Sequence, residues 1–244
     1  MAFPLILRAF ALTLGQLSDP RFRRVLFLGI LLSLVLLTGL TFGLFWLVGW
    51  VTGETAALPL IGEVAWLDDL FSWGAVLLMA LLSVFLMVPV ASAIISFFLD
   101  DVAEAVEEVH YPHLPAATPV PLGDTLRDTV NFLGVLIGAN LVALVFYLIF
   151  APAALFIFWA LNGFLLGREY FTLAAIRRVG RTRARQLRRR HSGTIWLAGV
   201  AMAVPLSIPL LNLVIPILGA ASFTHLFHLL LSPQDKASVP DPRY

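Results

Sequence analysis

Residues 25–51 read VLFLGILLSLVLLTGLTFGLFWLVGWV, from Val25 to Val51, without a charged side chain or a proline. About 20 apolar residues suffice to cross the hydrocarbon core of a bilayer, so this segment spans with residues to spare. Trp46 and Trp50 lie at its far end, where indole rings favour the membrane–water interface. A second uncharged run, Leu70 to Leu99, is also of spanning length, with Pro89 placed to kink it. Composition agrees with both assignments. The chain is 60% hydrophobic and 13% charged, with a mean hydropathy of +0.93, whereas a soluble domain carries about 25% charged residues. The reading is an all-α integral membrane protein forming a single membrane domain over residues 1–244. Its N-terminus lacks the basic region of a cleavable signal peptide, so insertion is expected through a retained hydrophobic segment.

Outward from these spans the chain divides by composition. Residues 4–16 predict an amphipathic helix, either lying in the interface or capping the bundle. The first transmembrane helix occupies 20–51. The second occupies 67–109, running on past Leu99 into an acidic, cytoplasmic amphipathic extension that contains Asp100, Asp101, Glu104, Glu107 and Glu108. Two long apolar regions follow, at 124–168 and 193–231. The first is interrupted by Pro152 and the second by Pro205, Pro209 and Pro216. Each reads as a helical hairpin broken by proline, entering the membrane wholly or in part; continuous kinked helices are the alternative. Asn162 and Asn212 are polar groups inside these regions able to satisfy broken helix ends. Between the hairpins lies a basic cytoplasmic segment, 169–191, and a tail covers 232–244.

Charge sets the topology. Fifteen of the sixteen basic residues are arginine, nine of them between Arg168 and Arg190. Cytoplasmic loops carry the excess of Lys and Arg, so Arg21, Arg23 and Arg24 place the start of the first span in the cytoplasm. The nine arginines share that side only if the region before them enters and returns. The same parity leaves both termini cytoplasmic.

The residues exclude much chemistry. There is no GxxxxGK[ST] phosphate loop, no HExxH and no GxSxG. Cysteine is absent, so no disulfide, thiolate metal site or cysteine nucleophile is available. His110 with His113, and His225 with His228, lack third and fourth ligands nearby and read as solvated or interfacial. No catalytic residue, metal or cofactor is expected, and the uncharged spans offer no proton relay. What remains is arginine. Arg21, Arg23 and Arg24 occupy a helix start just after Pro20, where free N–H groups and the helix dipole attract anions. Guanidinium forks match tetrahedral oxyanions such as sulfate. The same cluster also serves as a plain positive-inside anchor. Arg177 to Arg190 suits either anion recruitment or contact with anionic lipid headgroups; no interleaved aromatics point to nucleic acid.

Two stretches resemble the CysZ-type sulfate permeases, relatives of the etoposide-induced membrane proteins. One is Arg23-Arg24 leading into an apolar helix. The other is Ile208-Pro209-Leu210-Leu211-Asn212-Leu213, followed by Pro216 and Gly219-Ala220. Val102-Ala103-Glu104 to Glu107 and the arginine-rich segment fall in the same order. The resemblance implies two long spanning helices, two partly inserted hairpins and a homo-oligomer in the bacterial inner membrane, among lipids. It implies sulfate uptake, channel-like, for sulfate assimilation and cysteine biosynthesis, with sulfate bound by Arg23 and Arg24 and Arg21 as a helper. Arg21 stands where the family has glycine. A non-transporting scaffold or lipid-interacting protein is the other reading.

Overall fold

The computed structural model describes residues 2–52, 90–91, 94–95, 97–117 and 122–231. The stretch between the first two expected spans, most of the second span and the C-terminal tail lie outside the described residues. Among the described residues there is no strand. The elements are α1 (Phe3–Gly15), α2 (Pro20–Thr52), α3 (Leu99–His110), α4 (Leu122–Ile149), a 3₁₀ turn (Ala151–Ala153), α5 (Ala154–Arg190), α6 (Ser192–Ala203), a second 3₁₀ turn (Val204–Ser207), α7 (Pro209–Asn212) and α8 (Ile215–Leu230). Three helical stretches are long and apolar enough to cross a membrane, Pro20–Leu40, Val130–Ile149 and Ala151–Arg190.

Proline placement explains why the two long apolar regions break into separate helices rather than continuing as kinked rods. Pro152 and Pro205 lie in the 3₁₀ turns, and Pro209 and Pro216 sit in the first turns of α7 and α8. At those positions a missing N–H costs nothing, whereas in a helix interior it removes a bond and clashes with the preceding turn. Asn162 takes no part in mending the breaks. Its Nδ2 donates to Phe158 O at 2.9 Å, one turn back in its own helix.

The two main helices of the second proline-broken region differ in burial. α8 is buried along nearly its whole length, from Ile215 to His228; its sequence is mostly apolar, and its buried Ser222, Thr224 and His228 find partners in Thr13, the Ala220 carbonyl and Glu107. Around it pack α1, α2, α3 and α5. Phe223 and Phe227 fill the centre, set against Tyr170 and Phe171 with ring centroids 6.0 Å apart in each pair. α6 lies across α5 with almost no space between backbones. A methyl group on Gly163 would come 2.6 Å from the Val200 nitrogen, and one on Gly167 would come 2.6 Å from the Ile195 carbonyl oxygen. Small residues four apart let transmembrane backbones meet in this way. α4 is the opposite case: Leu133, Ile137, Leu141, Leu144, Val145 and Leu148 are all exposed, an apolar surface suited to lipid.

Two expectations change shape. The acidic segment does not simply continue the second span. A turn at Phe97–Phe98, whose N–H groups donate to Ile94 and Ile95 carbonyls, precedes α3. One face of α3, with Val102, Ala103, Ala105 and Val106, is buried in the core. The basic segment, to which the sequence alone assigns no secondary structure, is helical. α5 runs on into it and breaks at Gly180, where φ is +70° and ψ 172°, a conformation open essentially to glycine. Residues 181–190 then fold back, since Arg188 Nη1 donates to Thr172 Oγ1 at 2.7 Å. A straight helix would separate those residues by about 24 Å. α1 has one face on the bundle, through Ile6 and Ala9, and a second apolar face left open at Phe3, Leu7 and Leu14.

Candidate anion site and the buried charge cluster

The helix start that carries the arginines is built by its neighbours. Asp19 caps α2: its Oδ1 accepts from the Arg21 N–H at 2.8 Å, and its main-chain oxygen accepts from the Arg23 N–H at 3.2 Å. Gln16 fixes the cap, donating from Nε2 to Asp19 Oδ2 at 2.9 Å and to Ala105 O of α3 at 3.1 Å. Phe22 and Val25 are buried in the core, which turns Arg21, Arg23 and Arg24 outward. The three arginines therefore share one exposed helix end, but they are not equivalent. Arg21 is engaged by Glu108, with Nη2 2.5 Å from Oε2. Arg23 and Arg24 make no ion pair with any described residue. One free N–H at this helix end is already taken by the Asp19 carboxylate, so an incoming anion meets the guanidinium groups rather than an open backbone cradle.

Arg177 and Arg178 turn into the protein, toward Glu107. Arg178 donates from Nε to Oε1 at 2.8 Å and from Nη2 to Oε2 at 2.6 Å, and its Nη1 reaches Pro115 O. Arg177 Nη2 lies 3.8 Å from Oε2, and its Nη1 donates to Asp100 O at 3.0 Å. His228 of α8 places Nε2 3.0 Å from Oε1. Burial alone would raise the Glu107 pKa. Hydrogen bonds from His228 and Arg178, with the charges of Arg178 and Arg177, outweigh it and hold the carboxyl down to about 2. Beside it, burial pushes the Tyr111 phenol up to about 12. Tyr111 thus keeps its proton, and its hydroxyl lies 3.1 Å from His225 Nδ1.

This cluster corrects the reading of the histidines. His225 and His228 are buried, neither solvated nor interfacial. His110, from the other sequence pair, ends α3 and meets the His225 ring edge-on, with centroids 4.7 Å apart. No group of three or more His, Cys, Asp or Glu able to hold a metal occurs among the described residues. Glu107 was legible as an outlier in its helix: it stands one turn after Ala103, on the stripe that Val102 and Val106 bury. A carboxylate on an apolar stripe demands a cation from elsewhere.

A family profile described as sulfate transporter CysZ/etoposide-induced protein 2.4 matches residues 9–216. No curated protein and no solved structure matches.

Proposed function

The chain belongs to the sulfate transporter CysZ/etoposide-induced protein 2.4 family, and from that premise we propose that it is a sulfate permease of the bacterial inner membrane. The observation that carries the proposal is the pair Arg23 and Arg24, exposed and free of ion pairs among the described residues, at the start of a helix able to cross a membrane. Two guanidinium groups supply forked donors that suit the tetrahedral geometry of sulfate. Arg21 adds charge to the same face, while its pairing with Glu108 makes it the weaker ligand.

Transport on this reading is passive and channel-like. The sequence has no nucleotide-binding loop, and the segment from Val25 to Val51 carries no ionisable group to couple a proton. α6 has 12 residues, about 18 Å of helix, which is short of the ~30 Å core. On this reading several copies of the chain enclose the path, with both termini cytoplasmic. Sulfate delivered this way would feed assimilation into cysteine. Proteoliposomes containing the chain should take up labelled sulfate faster than protein-free vesicles. Equal rates would reject transport and favour a scaffold role in the membrane.

A further inference from the structure

The folded-back end of α5 creates a feature that the sulfate reading does not use. A groove of about 420 Å³ opens between the start of α4 and the two limbs of α5. Six arginines line it: Arg168, Arg177, Arg181, Arg185, Arg188 and Arg189. With Arg177 already directed to Glu107 and Asp100, the other five arginines still outnumber the acidic residues on the wall, Asp100 and Glu169. Its floor includes the apolar side chains Phe132, Val135, Leu173 and Ile176.

At Val135 this groove meets a second one, of about 540 Å³, that runs between α4 and α5 to Phe146 and is lined only by glycine and apolar residues. From Val135 to Phe146 a helix advances about 16 Å, close to half of the ~30 Å hydrocarbon core. The arginines stand at the Val130 end of a stretch able to span the membrane, and the apolar groove descends along it. Cation at the rim and hydrocarbon below, in line and one leaflet deep, match a phospholipid and not a free ion. A free oxyanion would use the arginines and leave the apolar groove without a role.

We propose that this joined groove binds one anionic phospholipid, its phosphate among the arginines and an acyl chain lying between α4 and α5. The site is independent of sulfate transport and would exist whether or not sulfate crosses. Gly180 is what builds it, by turning residues 181–190 back over Thr172.

The test uses the full chain in detergent, offered dioleoylphosphatidylglycerol or dioleoylphosphatidylcholine, with retained lipid counted by native mass spectrometry. Two variants address the two ends. Arg185→Gln/Arg189→Gln removes exposed charge, and Gly138→Phe fills the apolar groove from a position with no atom within 4 Å of an added Cβ. The wild type should prefer phosphatidylglycerol, and the double variant should lose about thirtyfold in its binding, as two interfacial arginines warrant. Gly138→Phe should lower phosphatidylglycerol binding while leaving the arginines intact. Equal retention of both lipids by the wild type would overturn the proposal. So would Gly138→Phe binding phosphatidylglycerol like wild type while inorganic phosphate displaces it, because the arginines would then serve a free oxyanion.

Discussion

Arg178 holds Glu107 through two parallel hydrogen bonds, Nε to Oε1 at 2.8 Å and Nη2 to Oε2 at 2.6 Å, joining α5 to α3. Both side chains are almost wholly buried, at 7% and 5% exposure. A pair of this kind contributes little compared with apolar packing of the same volume, yet removing one partner strands the other charge. Arg178→Ala should therefore lower unfolding stability by about 3–5 kcal/mol, read from denaturation of the detergent-solubilised protein. Replacing both residues by Leu should recover much of that loss. A single variant as stable as wild type would mean that the bond carries no structural weight.

Acid should act on the same carboxyl. Its folded pKa of about 2 lies below the ordinary 4.5, so its ionised form is favoured by folding. The resulting stability is complete above 4.5 and falls away as pH drops through that window toward 2. Melting temperature measured across this range should decline more steeply for wild type than for Glu107→Gln. Parallel curves would contradict the assignment.

How much of this the sequence disclosed depends on the kind of interaction. Val25 to Val51 and Val130 to Ile149 announce themselves by lacking charge, because the bilayer requirement acts on each residue separately. Pro152, Pro205 and Pro216 mark the hairpin tips and helix starts for the equally local reason that proline lacks an N–H. The cluster of Glu107, Arg178 and His228 was out of reach, since it joins residues far apart in the chain and depends on how α3, α5 and α8 pack. Gly180 was hidden among arginines that read as an anion-recruiting or lipid-contacting segment. Nothing local distinguishes a glycine that reverses a helix from one that is merely tolerated. Of the expected anion residues, the sequence located the cluster at the helix start but not the difference between Arg21, paired with Glu108, and its two neighbours.

Gly180→Ala tests the reversal. An added Cβ there meets no atom within 4 Å, so any loss must come from backbone conformation. Its φ of +70° with ψ near 180° should cost an alanine about 1–3 kcal/mol. Proteolysis within residues 181–190 should accelerate with it. Unchanged stability and protection would show that the fold-back does not need glycine.

Close packing at the α5–α6 crossing predicts a sharp contrast between glycines. A Cβ on Gly199 would press on the Gly163 carbonyl and lie 2.9 Å from the Gly167 nitrogen, whereas Gly39 has open space. Gly199→Ala should destabilise by at least about 1–3 kcal/mol through overpacking. Gly39→Ala should be neutral or slightly stabilising, as for alanine in any helix interior. Thermal unfolding of the two variants side by side decides the point.

Arg21 and Glu108 are each about half exposed, at 47% and 54%, and exposed ion pairs contribute roughly 0–1 kcal/mol. Arg21→Ala should leave stability nearly unchanged and reduce sulfate binding less than either Arg23→Ala or Arg24→Ala does. Equilibrium binding of labelled sulfate to the purified protein checks the ranking. A larger loss from Arg21→Ala would move the anion site toward Glu108.

Sulfate flux into proteoliposomes, compared between wild type and Arg23→Ala/Arg24→Ala reconstituted at equal density, bears most directly on the proposed function. The account predicts saturable uptake by the wild type and uptake at the level of empty vesicles for the double variant. Wild-type uptake no faster than empty vesicles, or a double variant as fast as wild type, would contradict it.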